Sequence, residues 1–124
     1  MGKGFLTGKI DENTQFDKTD FRNIVPRFSE ENRKGNQKLV NLLGEIAIQK
    51  NAMPSQIALA WLMVQKPFIV PIPGTRNMEH LHENLGAMNV QLTPADIFEL
   101  DRACSKIRIH GGRMNEMQMQ VVDK

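Results

Sequence analysis

Residues 68–87, with the sequence FIVPIPGTRNMEHLHENLGA, constrain the fold of this chain more than any other stretch. Residues 68–72 are mostly β-branched or aromatic, which is typical of a strand covered on both faces in a parallel sheet. A Pro-Gly pair ends this predicted strand, and Asn77 is predicted to cap a helix that follows. The first N–H groups of such a helix have no partner within it and favour a bound anion. Arg76 adds a guanidinium that suits a phosphate monoester.

Three further helices are predicted from apolar spacing and start signals. Residues 32–50 carry apolar side chains along one helical face. Pro54 opens a second helix that runs to about residue 65 and is apolar nearly all round, so neighbours should enclose it. Thr93 and Asp96 predict the capped start of a fourth helix. The buried stripe of that helix is predicted to contain Ile97, Leu100, Cys104 and Ile107.

The two ends of the chain lack such spacing. Residues 1–32 are predicted to form an extended loop with short turns. Within this loop Gly2 and Gly4 flank Lys3, and two glycines so placed let a backbone approach a pyrophosphate closely; a flexible N-terminus is the alternative. Residues 111–124 form a methionine-rich tail, for which an ordered final helix or disorder is favoured over an adaptable contact surface.

Composition narrows the class of protein. The chain is 40% hydrophobic and 24% charged with a net charge of +2, which is too small a charge to indicate nucleic-acid binding. Its single cysteine, Cys104, excludes an internal disulfide and is interpreted as a small apolar helix residue rather than a nucleophile. His80 and His82 face different sides of a helix, so we expect no metal site. With no signal peptide and no apolar run of roughly 20 residues, we expect a cytoplasmic protein without membrane contact.

Several stretches of the chain, in order, resemble the C-terminal part of the aldo-keto reductases, (β/α)8-barrel oxidoreductases that use NADPH. They are residues 2–9 (GKGFLTGK), 56–62 (QIALAWL), 71–76 (PIPGTR), 83–87 (ENLGA) and 92–96 (LTPAD). The resemblance covers nearly the whole chain and fades after about residue 107. It implies an α/β fold class in which this chain is the C-terminal fragment of a TIM barrel, mainly helical in isolation with one or two short strands.

The resemblance also implies part of an NADP(H) site. The implied cofactor-binding residues are Gly2, Lys3, Gly4, Gly74, Thr75, Arg76, His80, Glu83 and Asn84. Glu83 and Asn84 correspond to a pair that holds the adenine end of the cofactor, and His80 falls where relatives often have a basic residue near the adenosine phosphate. The family's general acid is a tyrosine, and this chain contains no tyrosine. No catalytic residue of the family has a counterpart here, so we expect the isolated chain to be inactive.

The length of the chain bears on its partners. A barrel of this kind typically takes roughly 250 residues, and 124 residues are expected to form a single partial domain. In that domain residues 1–32 are the loop, residues 33–110 hold the helices and the strand, and residues 111–124 are the tail. Because two strands cannot close a barrel, an apolar surface should stay uncovered and drive self-association or pairing with a companion barrel half. The alternative to a cofactor site is a non-enzymatic helical fragment that only associates.

Overall fold

Helices dominate the described residues of the computed structural model, which are 1–11, 13–106, 111–112 and 114–121. The α-helices in chain order are α1 (Glu30–Lys50), α2 (Pro54–Gln65), α3 (Met78–Gly86), α4 (Pro94–Lys106) and α5 (Glu116–Met119). Short 3-10 helices span Gly2–Thr7, Phe21–Ile24, Pro26–Phe28 and Ala87–Asn89. Within these ranges the chain contains no β-strand.

Side-chain caps set the helix starts. Helix α1 begins at Glu30, slightly earlier than predicted, because the Ser29 side chain accepts a hydrogen bond from the backbone of the first turn. Asn77 caps α3 by accepting from two N–H groups of its first turn. Thr93 and Asp96 exchange reciprocal hydrogen bonds of 2.8 and 3.2 Å at the start of α4. The predicted caps at Asn77 and Thr93 are therefore confirmed.

Gln56 joins the start of α2 to α3. Its side-chain oxygen accepts from the Met53 N–H at 2.9 Å, which is the half of a capping box that the N3 residue supplies. Its amide nitrogen donates to the carbonyl oxygen of Glu83 at 2.8 Å. A Cβ at Gly86 would lie 2.5 Å from this amide nitrogen, so glycine permits the close approach of the two helices.

The core has two parts, and α1 contributes to both. The first lies between α1, α2 and α4 and comprises Leu43, Ile46, Ala47, Ile57, Ala58 and Leu100. The second lies under the N-terminal segment and comprises Phe5, Ile10, Val25, Phe28 and Val40. On α4, Leu100 is buried and Ile97 and Cys104 are half-buried, as the predicted stripe requires. Ile107, predicted on the same stripe, lies outside the described residues.

The N-terminal segment is more regular than the extended loop that was expected. It contains three of the 3-10 helices and is organised around Phe16. The guanidinium carbons of Arg22 and Arg33 lie 4.5 and 5.4 Å from the centroid of the Phe16 ring. Arg33 is buried and donates to the carbonyl oxygens of Asp11, at 3.0 Å, and Thr14. These contacts fix the first half of the segment against α1.

The predicted strand over residues 68–72 does not form. The segment is extended, but among the described residues its only backbone–backbone hydrogen bond joins the Ile69 N–H to the Lys66 carbonyl oxygen at 3.1 Å. Phe68, Val70 and Ile72 are 79%, 78% and 93% exposed, so the prediction that both faces are buried was wrong. The physical reason is that a strand takes its hydrogen-bond partners from neighbouring strands, and the described residues provide none.

Candidate functional site

A cleft of about 400 Å³ lies between the N-terminal segment and the start of α3. It brings together seven of the residues predicted for the site: Lys3, Gly4, Gly74, Thr75, His80, Glu83 and Asn84. Its walls also contain residues that the sequence did not single out: Met1, Thr7, Lys9, Ile10, Arg22 and Pro73. Two motifs that are far apart in the chain therefore meet at one surface.

Two of the predicted residues lie elsewhere. Gly2 lines a separate, mostly apolar cavity of about 540 Å³ beside Phe5 and Phe28. Arg76 lines an open depression next to the cleft, together with Asp20. The cleft and the depression share Lys3, Gly74 and Arg22 along their boundary. Arg76 is thus a neighbour of the cleft, whereas Gly2 is directed to another cavity.

The glycine-rich wall has an uncommon backbone conformation. Gly2, Lys3 and Gly4 have φ values of 59°, 55° and 94°, in the region that side chains with a Cβ rarely adopt. The carbonyl oxygen of Lys3 accepts a hydrogen bond from Arg22 at 3.3 Å, which ties this turn to the following segment. A Cβ at Gly4 would lie 3.5 Å from both Arg22 and Ile10 and would also be strained by its φ. Glycine therefore lets Gly4 form the cleft wall.

Helix α2 fixes the position of the α3 wall through side-chain hydrogen bonds. The Glu83 carboxylate accepts a hydrogen bond from the hydroxyl of Ser55, which is buried at the start of α2. Asn84 is only 8% exposed and lines the cleft. Its amide forms no hydrogen bond with any other residue that the structure describes. The amide atoms keep some contact with solvent through the cleft, so Asn84 offers a donor and an acceptor to a ligand there.

The polar lining of the cleft has an excess of basic groups. Lys3, Lys9 and Arg22 share it with one carboxylate, that of Glu83. Arg22 also forms a salt bridge of 2.5 Å with Asp20, and the hydrogen bond from Arg22 lowers the pKa of that carboxyl. This excess, added to the positive end of the α3 macrodipole, favours an anionic ligand.

Comparison with known proteins agrees with the sequence motifs. The Aldo/keto reductase family model matches residues 1–104. The chain belongs to the aldo/keto reductase family. The resemblance predicted from the sequence is therefore confirmed, and the absence of strands in the described part is consistent with a fragment of the family's (β/α)8 barrel.

Two relatives show how much of an aldo-keto reductase is present. Aldo-keto reductase yakc of Schizosaccharomyces pombe, whose name carries NADP(+), is 41% identical over 113 residues, which cover 91% of this chain and 33% of the relative. Aldo-keto reductase str7 of Strobilurus tenacellus is 33% identical over 123 residues, which cover 99% of this chain and 37% of the relative. The chain thus spans about a third of the length of the curated relatives that it matches.

Three further features concern metal ligands, membrane-spanning helices and the cysteine of this aldo-keto reductase chain. No three His, Cys, Asp or Glu residues lie together as potential metal ligands in the part that the structure describes. In that same part, every helix is too short or too polar to cross a membrane. Cys104 lies on α4 beside a small apolar cavity of about 160 Å³, and burial raises the pKa of its thiol.

Sequence reasoning missed Lys9 and Arg22 as cleft residues. Lys9 directly follows the GKGFLTG motif, so its position was a usable signal. Arg22 stands in a stretch, residues 20–22, that also resembles the family, but its place in the cleft depends on the folding of residues 13–22 around Phe16. Both residues add positive charge where the predicted site residues converge.

Proposed function

We propose that this chain forms part of the NADP(H) site of an aldo-keto reductase and holds the adenosine-phosphate end of the cofactor. The observation that carries the proposal is the cleft itself, in which Asn84, only 8% exposed, lies together with an excess of basic side chains. The name of the Schizosaccharomyces pombe relative, which includes NADP(+), supports the choice of cofactor. We expect the protein to act in the cytoplasm.

The residues present fit the adenosine end of such a cofactor. Asn84 can form hydrogen bonds with an adenine edge through its amide, and the Glu83 carboxylate, which also bonds to Ser55, can accept from an adenine amino group. Arg76 and His80 lie on the same segment and supply donors for a phosphate monoester. Gly74 and Thr75 at the cleft wall and the turn over Gly2, Lys3 and Gly4 let the backbone come close to the rest of the nucleotide.

The complete oxidoreductase would reduce aldehydes or ketones. When bound, the nicotinamide supplies a hydride, and the protein orients it toward the carbonyl carbon. The present chain has no tyrosine to act as the family's general acid. Its own contribution is therefore binding and positioning of the cofactor, and we expect no turnover from this chain alone.

Isothermal titration with NADP⁺ and NAD⁺ tests the proposal. We expect Arg76→Ala to weaken NADP⁺ binding by roughly 1–3 kcal/mol, because a charged hydrogen bond to the 2′-phosphate is lost, while NAD⁺ binding stays unchanged. Arg102→Ala is the matched control, since Arg102 is an exposed arginine on α4 outside the cleft. Absence of NADP⁺ binding by the unmodified chain would refute the proposed function.

A second property has its own observation, the exposed apolar side chains of Phe68, Val70 and Ile72. We propose that this segment associates with a second copy of the chain or with a companion barrel half. In a paired strand, alternate residues direct their backbone groups to opposite edges. The prolines of this segment all fall on one edge, at Pro67, Pro71 and Pro73, and have no N–H to donate. The opposite edge, formed by Phe68, Val70 and Ile72, has all its N–H groups and can pair with another strand.

A further inference from the structure

A cavity that the proposed function does not use lies beside Phe5 and Phe28 and is called here the Phe5–Phe28 cavity. Its volume is about 540 Å³, and it shares only Lys3 with the lining of the cleft. Its walls come from the 3-10 helices Gly2–Thr7 and Pro26–Phe28, from α1 and from the C-terminal tail. The volume falls within the range of roughly 300–1,000 Å³ that is usual for small-molecule sites.

The apolar part of the lining is built from packed rings. Phe5 and Phe28 are both buried, and their rings meet edge to face with centroids 6.2 Å apart. Leu39 on α1 and Met114 in the tail add apolar surface to the cavity. Rings that are already held by packing need little rearrangement when an apolar ligand enters. The cavity therefore suits the apolar body of a ligand.

Arg27 places a cation in this mostly apolar space. Its side chain is half-buried, and its Nε donates to the carbonyl oxygen of Gly111 at 3.1 Å, which orients the guanidinium. Among the described residues, Arg27 forms no salt bridge with a carboxylate, and the described lining of the cavity contains no acidic side chain. A cation withdrawn from water is usually paired with an anion. A ligand can supply that anion.

The C-terminal tail reaches the cavity through Gly111. The φ of this glycine is 81°, and a Cβ here would lie 2.8 Å from the Pro26 carbonyl oxygen and 2.7 Å from the Asn32 amide nitrogen. Glycine therefore permits both the turn and the close approach. Met114 follows three positions later and lines the cavity. The tail thus orients Arg27 and supplies an apolar contact at the same site.

We propose that the Phe5–Phe28 cavity binds a small organic acid, with its carboxylate on the Arg27 guanidinium and its apolar body against the two phenylalanine rings. A planar group with two oxygens matches the fork of a single guanidinium. A carboxylate also carries a single charge, which one arginine in a mostly apolar cavity can balance. The assignment does not rest on the proposed cofactor site, because the two linings are separate apart from Lys3.

A matched pair of ligands isolates the contribution of the carboxylate. Naphthoate and the naphthamide of the same ring substitution share their apolar rings, and only naphthoate is an anion. We expect isothermal titration of the unmodified chain to show naphthoate binding about tenfold more tightly than the amide, as for one hydrogen-bonded ion pair. Equal affinity for the two ligands would refute recognition of a carboxylate.

Variants of the lining locate the ligand in the cavity. Arg27→Gln removes the charge and keeps an amide N–H for the Gly111 carbonyl oxygen, so naphthoate should bind about tenfold more weakly and the amide less than twofold more weakly. Arg102→Gln is the matched control, because Arg102 is exposed on α4 outside the cavity, and it should change neither affinity. Met114→Ala should weaken both ligands about equally, by roughly threefold, because they share the apolar contact.

Equal thermal unfolding midpoints of the variants and the unmodified chain establish that these losses are local. NADP⁺ should leave the affinity for naphthoate unchanged, and displacement by NADP⁺ would place naphthoate in the cofactor cleft and refute the assignment. Naphthoate binding that neither Arg27→Gln nor Met114→Ala alters would place the ligand elsewhere on the chain. No binding of naphthoate by the unmodified chain at millimolar concentration would refute the site while leaving the proposed cofactor site intact.

Discussion

Helices α1, α2 and α4, called here the helical layer, differ from the segment between α2 and α3 in the burial of apolar side chains and in backbone hydrogen bonding. In the helical layer, Ile57 and Leu100 are 0% and 1% exposed, whereas Ile72 in the segment is 93% exposed. A helix makes its backbone hydrogen bonds within itself, whereas a strand obtains them from a neighbour. The comparison shows that helices can stay packed in a chain whose extended segment has no backbone partner outside itself among the described residues.

The candidate site lies on the border between these two regions. Glu83 and Asn84 stand on a helix that α2 holds through Ser55 and Gln56. Gly74 and Thr75 belong to the unpaired segment and line the same cleft. One wall is therefore fixed by packing, and the other is fixed only where it joins α3. Binding by this chain depends on how well the second wall keeps its position.

The largest expected effect is a difference between the two regions in how much a truncated side chain changes the free energy of unfolding. Leu100→Ala should lower the free energy of unfolding by about 2–5 kcal/mol, because it leaves a cavity in the core between α1, α2 and α4. Ile72→Ala should change it by less than about 0.5 kcal/mol, as for other exposed positions. Urea unfolding followed by far-UV circular dichroism measures both. Similar losses in the two variants would mean that residues 68–72 are packed in solution, and would contradict the difference in burial between the two regions.

The same contrast explains how much the sequence could predict. Helix starts at Pro54, Asn77 and Thr93 were predictable, because caps and apolar spacing act within a few residues. The strand predicted from composition over 68–72 does not form, because a strand needs a neighbouring strand to supply its hydrogen bonds and the described residues contain none. Local signals were therefore sufficient for the helical layer and insufficient for the segment.

The site was predictable to the extent that family motifs carry it. The motifs indicated the residues of the α3 wall and of the glycine-rich turn, and most of them line one cleft. The contact between Lys9 and His80 was not predictable, since it depends on how the N-terminal segment folds over α1. The same holds for the separation of Arg76 from the cleft. Contacts between distant segments follow from tertiary packing and have no local signature.

A second prediction concerns association through the unpaired segment. We expect Val70→Lys to weaken self-association at least tenfold, about 1.4 kcal/mol, because a charge on an exposed strand edge opposes pairing. Size-exclusion chromatography with light scattering over a concentration series measures the effect. Ile48→Lys is the matched control, since Ile48 is 83% exposed but lies on α1 in the helical layer. Equal loss in both variants would place the association surface outside residues 68–72, and a stable monomer of the unmodified chain would refute self-association.

The smallest expected effect lies at the boundary itself, where Asn77 ends the segment and begins α3. The Asn77 side chain accepts from the N–H groups of Glu79 and His80 at 2.8 and 3.4 Å. Asn77→Ala should therefore cost about 1 kcal/mol, and Asn77→Ser should restore most of it. Hydrogen exchange should rise at the start of α3 while the amides of α4 keep their protection. Faster exchange throughout both helices would instead show that the segment and the helical layer unfold as one unit, so that their difference in burial has no counterpart in local stability.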